Sequence, residues 1–218
     1  MLGTIERRRI GGHSVMTTRA YQRREAAIRH GKIRELTCEI VEQIFSAEAP
    51  ALQLRDTEDE DLEAVRRWRD AWPLHLIAIK PNWDWEIERR KIIRREARLD
   101  LAICDGGDLY GIALGRVSRR RVVATIHFME KNPVASPLED LIGPICTVYL
   151  EELAKQLGCR EICIDRPVEA LLDYYRALGF NRSIVKGRRV VRLVRSMKFD
   201  ESQDLADDGR EGGEDGQG

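Results

Sequence analysis

Apolar residues recur along this chain with two spacings, one of about 3.6 residues and one of 2, and each change of spacing marks an element. Positions 18 to 46 read as a polar helix with a candidate break near Gly31. Ile33, Leu36, Ile40, Ile44 and Phe45 fall at helical spacing in its second half and give it an apolar face. Ala47 to Pro50 reads as a linker, and Ala51 to Arg55 alternates like a short strand. Thr57 with Glu60 three residues on predicts a capping box opening a helix that runs to about Asp70. Trp72 and Pro73 break it. A second amphipathic helix is expected from about Asn82 to Arg98, with Trp85, Ile92 and Ile93 on its apolar side.

Strand spacing then takes over. Leu99 to Cys104, Leu109 to Val117 and Arg121 to Glu130 form a predicted meander, with Asp105, Gly106, Gly107 and Asp108 supplying a tight first turn. Ser136 as N-cap, Pro137 at the first helical position and Glu139 closing a capping box predict a helix ending at Gly158. Gly143 and Pro144 would lie inside it as a kink. A strand from Arg160 to Asp165, a helix from Val168 to Leu178, and strands Asn181 to Val185 and Val190 to Met197 complete the order. The predicted class is α/β (α+β): a mixed, mostly antiparallel twisted sheet flanked by helices.

Composition narrows this further. The chain has 218 residues, 43% hydrophobic and 34% charged, as expected of one globular domain with tails. No apolar run approaches the roughly 20 residues that span a bilayer. Arg7, Arg8 and Arg9 are not followed by an apolar segment, so no secretory signal is expected, and the cytoplasm is the expected compartment. Cys38, Cys104, Cys146, Cys159 and Cys163 lack zinc-site spacing and read as core thiols. The zero net charge conceals a dipole. Residues 1 to 34 hold nine Lys/Arg against two acids, a net +7, and residues 200 to 218 hold eight acids against one Arg, a net −7. The chain thus divides into a basic arm with helical extension (1–48), a central domain (49–198) and an acidic tail (199–218) expected to be disordered. The arm suits nucleic acid or another acidic surface, or else stays solvated and pairs with the tail. The apolar face between Ile33 and Phe45 can pack on its own domain or on a second copy as a homodimer.

Particular residues sharpen the order of elements into a resemblance. Asp173-Tyr-Tyr-Arg-Ala-Leu-Gly-Phe180 resembles the closing signature of the GNAT N-acyltransferases, with Gly179 placed for a left-handed helix stop. Ala154 to Gly158 followed by Cys159 to Ile164 is similar to that family's long helix, glycine and next strand. Leu52 to Asp61 resembles its first strand and helix. The resemblance spans about residues 50 to 198. It implies transfer of an acyl group from acetyl-CoA, or a related acyl-CoA, to an amine, without naming the amine.

The family binds the cofactor pyrophosphate on a Gln/Arg-x-x-Gly-x-Gly/Ala loop opening its central helix, where free amides favour an anion. Here the matching positions are Asp140-Leu-Ile-Gly-Pro-Ile145. One glycine survives, Pro144 removes an amide and Asp140 repels phosphate. The resemblance places cofactor contacts at Phe128, Met129, Ser136, Gly143 and Tyr174. It makes Tyr175 the acid for the leaving thiolate, and His127 or Glu130 the base. Strand alternation alone would put Ile126, Phe128 and Glu130 on one face and Thr125, His127 and Met129 on the other, but a bulge expected on this strand cuts across that pattern. Trp68 and Trp85 read as core residues, and Trp72 and Trp83 could line the acceptor pocket. Arg116, Arg119, Arg120 and Arg121 on one hairpin, and Arg188, Arg189, Arg192 and Arg195 near the last strands, either bind phosphates or keep sheet edges soluble. The alternative to an enzyme is a GNAT-like binding protein, degenerate in its cofactor loop, acting on a nucleic-acid or protein partner.

Overall fold

The expected strands assemble into a single sheet. The computed structural model describes residues 18–72, 83–134 and 137–198. Ser136, His13, His75, the arm up to residue 17 and the tail from residue 199 lie outside the described residues. In chain order come α1 (Thr18–Ile44), β1 (Leu52–Arg55), α2 (Asp59–Asp70), α3 (Trp85–Ile92), β2 (Arg98–Asp105), β3 (Asp108–Val117), β4 (Val123–Lys131), α4 (Ile142–Leu157), β5 (Glu161–Asp165), α5 (Leu172–Ala177), β6 (Arg182–Lys186) and β7 (Arg189–Ser196). The sheet order is β1-β2-β3-β4-β5-β7-β6. All neighbours are antiparallel except β4 and β5, which α4 joins by the crossover that parallel neighbours require. No helix among the described residues is long and apolar enough to cross a membrane.

Helices cover both faces of the sheet. On one, Tyr149, Leu150 and Leu153 of α4 with Val41 of α1 and Phe45 just beyond it bury Leu101, Ile103, Ile126 and Ile162. On the other, Leu62, Val65 and Trp68 of α2 with Trp85 and Ile92 of α3 cover Ile112 and Leu114. Trp68 and Trp85 are thus core residues. All five cysteines are buried free thiols.

Four local expectations are corrected by side-chain anchors. The buried stripe of α1 is Arg34, Thr37, Cys38 and Val41, continued by Phe45 just beyond it, while Leu36 and Ile44 face outward. Polar anchors turn the helix. The Arg34 guanidinium donates to both Asp56 oxygens at 2.8 and 2.7 Å, Gln156 donates to Thr37 at 3.1 Å, and the Leu54 amide donates to Glu42 at 2.6 Å. The box opening α2 is Glu58 with Asp61 rather than Thr57 with Glu60, because Arg55 clasps Asp61 at 2.5 and 2.8 Å and holds it against the Glu58 amide. Helix α3 is shorter than expected, capped by Asp84 and ending at Ile92, and Arg98 belongs to β2. Helix α4 begins at Ile142, not Pro137. Residues 138–142 form a turn in which the Leu141 and Ile142 amides both donate to the Leu138 carbonyl. Gly143 and Pro144 therefore sit in the first turn of α4, where the missing proline amide breaks no intrahelical bond and makes no kink.

The bulge in β4 sets the faces of that strand. Leu114 pairs with Phe128 and Gly115 with Ile126, so His127 is the extra residue. The simple alternation is overturned in consequence. Ile126 and Met129 pack on the α4 side, and Phe128 joins the α3 side. Gly115 permits the close approach: a Cβ there would overlap the Thr125 carbonyl oxygen. Because that wall is backbone, Gly115→Ala is expected to cost about 3 kcal/mol, at the upper end for overpacking. Thermal unfolding should show it as a fall in Tm of roughly 6–12 °C.

Candidate active site

The bulge coincides with the end of β4–β5 pairing. These strands pair from Val123–Glu161 to Ile126–Ile164, after which β5 stops at Asp165 while β4 runs on to Lys131. Among the described residues the edge of β4 beyond Ile126 has no strand partner on that side, and the two strands part there.

His127 and Asp165 are the first residues past the last pair, and their side chains meet. His127 Nδ1 lies 3.2 Å from Asp165 Oδ2. Asp165 also accepts from Arg192 Nε at 3.1 Å and Arg166 Nε at 3.2 Å. Burial alone would push the Asp165 pKa up, but the hydrogen bonds from Arg192 and His127 outweigh it, and the carboxylate titrates below its usual range. Burial lowers the His127 pKa against the opposing pull of Asp165. The neutral imidazole that results donates its Nδ1 proton to Asp165. Its Nε2 then carries the lone pair, buried and, among the described residues, without a partner. A neutral imidazole oriented by a carboxylate is the arrangement of a general base.

The other predicted residues are dispersed around the wedge. Glu130 is buried and accepts from Trp85 Nε1 at 2.5 Å. Trp83 packs against both Trp85 and Phe128, with ring centroids 6.2 and 5.3 Å apart. The Phe128 side chain therefore belongs to this aromatic cluster, and Met129 packs on the α4 side. Tyr175 is buried among α4-side core residues, which raises its pKa and keeps it protonated. Tyr174 is the exposed member of the pair, and a Cβ on Gly143 would overlap its hydroxyl. The hydroxyl thus covers the start of α4, where Pro144 offers no amide.

Asp165 and Arg166 carry no signal in the sequence, and Arg192 stands out there only as one of an arginine run. No local pattern marks them; only parallel pairing to β4, ended by the bulge, brings Asp165 to His127.

Both His127 and His30 have pKa values lowered from 6.5, chiefly by burial. The unfolded chain then binds more protons between the folded pKa and 6.5. Stability should be level above that pH, fall as pH drops below it, and level off beneath the folded pKa. Denaturant unfolding from pH 7.5 down to about 5 should show this loss, at most ~1.4 kcal/mol per pH unit for each histidine. His127→Asn should remove the His127 share.

No protein-family model matches the chain, and no curated protein sequence does. Solved structures do. PaiA N-acetyltransferase from Thermoplasma acidophilum, solved in complex with coenzyme A, superposes with a TM-score of 0.51 at 15% identity, covering 67% of this chain and 99% of that one. Ribosomal-protein-S18-alanine N-acetyltransferase from Escherichia coli gives a TM-score of 0.46 at 14% identity, covering 68% of this chain and 96% of its own. Ard1 from Thermoplasma volcanium gives 0.47 at 12% identity, with 68% and 99% covered. The strand order, the single parallel pair and the first of these superpositions agree: the chain has the GNAT N-acetyltransferase fold.

Proposed function

We propose that the protein is an acyl-CoA-dependent N-acyltransferase in which His127, oriented by Asp165, removes the proton from an acceptor amine. The observation that carries this reading is the His127–Asp165 pair at the mouth of the β4–β5 wedge. The unpaired edge of β4 beyond Ile126, the strand of Phe128 and Met129, suits an extended amide-bearing arm such as pantetheine. Coenzyme A in the Thermoplasma acidophilum neighbour supports that donor.

In the reaction the amine nitrogen attacks the thioester carbonyl carbon. A C–N bond forms, the C–S bond breaks, and the amine proton passes to His127 Nε2. The departing thiolate takes its proton from a phenol. Tyr175, held protonated by burial, meets that requirement, and Tyr174 is the more exposed alternative. Glu130, tied to Trp85, serves better as a wall of the aromatic side than as the base.

A second reading is favoured by the start of α4. There Tyr174 lies over Gly143, Pro144 lacks an amide and Asp140 adds a negative charge, a poor cradle for a pyrophosphate. On that reading the chain is a GNAT-fold binding protein acting on a nucleic-acid or protein partner, with the basic arm as its contact.

Calorimetric titration with acetyl-CoA decides between them. The enzyme reading expects micromolar binding, left intact by His127→Ala, while turnover with an amine panel falls about 10²–10⁴-fold. Absence of heat at millimolar acetyl-CoA would remove the donor and leave the binding-protein reading.

A further inference from the structure

A cluster of arginines lies beside this dyad. Six arginines surround a cavity of about 580 Å³: Arg29 of α1, Arg95 before β2, Arg116 of β3, Arg119 and Arg121 of the β3–β4 hairpin, and Arg192 of β7. Glu96 is the one carboxylate lining it. Arg192 is neutralised by Asp165, but among the described residues no carboxylate lies within ion-pair distance of the other five. Guanidinium groups held together without counter-charges repel one another. The sheet-edge role expected of an arginine hairpin does not account for arginines converging from α1 and the approach to β2 as well.

The two histidines in the cavity wall supply an independent observation. His30 is 6% exposed and the His127 side chain 10%. Each uses Nδ1 inside the protein, His30 with the Ala26 carbonyl at 2.8 Å and His127 with Asp165. Each leaves Nε2 buried with no partner among the described residues. Buried polar atoms are nearly always satisfied. With Nδ1 donating in both rings, each Nε2 presents a lone pair, so two acceptors from different elements in one arginine-lined cavity mark where ligand donors, N–H or O–H, belong.

We propose that this cavity binds an oligophosphate group, the di- or triphosphate of a small molecule. Several unpaired guanidiniums call for several negative charges on a short chain, and their forks match phosphate oxygens. A single carboxylate would leave most of them unanswered. The recessed Nε2 lone pairs suit a hydroxyl or amine that the small molecule carries beside its phosphates, whereas a continuous nucleic-acid strand would track the rim. Resting on the acyltransferase reading, the presence of His127 Nε2 in this wall makes the acceptor a phosphate-bearing amine; the binding itself does not depend on that reading.

The test titrates the full chain, at low salt, with inorganic tripolyphosphate and separately with ATP. Micromolar binding is expected. For both ligands it should weaken about 100-fold or more in a variant combining Arg116→Ala, Arg119→Ala and Arg121→Ala, and for ATP, whose hydroxyl and amino donors can meet the imidazole, about tenfold in His30→Ala. Arg188→Ala with Arg189→Ala, on the β6–β7 hairpin, should leave it unchanged. Equal affinity for both ligands would identify the phosphate chain alone as the determinant, and tighter ATP would add the nucleoside; either supports the site. The three substituted arginines are exposed, and thermal unfolding checks that the variant folds; Arg119→Glu alone serves if it does not. Four results would overturn the proposal. They are no binding at millimolar ligand, binding indifferent to these substitutions, an equal loss of acetyl-CoA binding in the arginine variant, or far tighter binding of an RNA oligonucleotide through the same arginines.

Discussion

Everything distinctive in this structure depends on one inserted residue in the middle of β4. A strand can satisfy neighbours on both edges only while its residues keep step with theirs. With His127 extra, β4 stays in step with β3 across the bulge but leaves β5 after Ile126. The same insertion exchanges the faces of the next residues along the strand. Phe128 turns to the tryptophans of the α3 side, Met129 turns to α4, and the histidine itself is directed at Asp165. Gly115, opposite, makes room for it, so the wedge, the dyad and the aromatic wall share a single steric cause.

Charge is distributed to the same end. Around β1 and β2 the carboxylates are consumed in structure. Asp56 is shared by Arg34 and Arg98, and Asp100, 1% exposed, sits between Arg89 and Arg98 with its pKa raised by burial. These contacts fix the rotation of α1, and with it Arg29 and His30 over the end of the sheet. Arg195 is likewise paired, with Glu151. Further along the sheet Asp165 faces both His127 and Arg192, and among the described residues the hairpin arginines have no carboxylate partner. Structural ion pairs and unpaired arginines thus segregate, and the boundary runs past the dyad.

Most of the fold was legible in the sequence because strand alternation and helical spacing report burial directly. The meander, the glycine turn at Gly106 and Gly107, the helix end at Gly158 and the left-handed stop at Gly179 all stand as expected. What failed was set by long-range contacts. The rotation of α1 depends on Asp56, Gln156 and Leu54, and the start of α4 depends on a turn closed on Leu138; neither leaves a periodic trace. Of the site, His127 and the tyrosine pair were visible through residue chemistry and resemblance. Asp165 was not, because an aspartate at a strand end looks like any other until the parallel neighbour is known. The arginine hairpin was visible as a charge run, but its convergence with Arg29, Arg95 and His30 exists only in three dimensions.

The central claim is that the bulge holds His127 as a neutral imidazole with Nδ1 protonated toward Asp165 and Nε2 open. Long-range proton–nitrogen correlation spectra of ¹⁵N-histidine-labelled protein, followed through a pH titration, read this directly. The account predicts the Nδ1–H tautomer for His127 at neutral pH and protonation only below the ordinary histidine value of 6.5. An Nε2–H tautomer, or a ring already protonated at neutral pH, would contradict it.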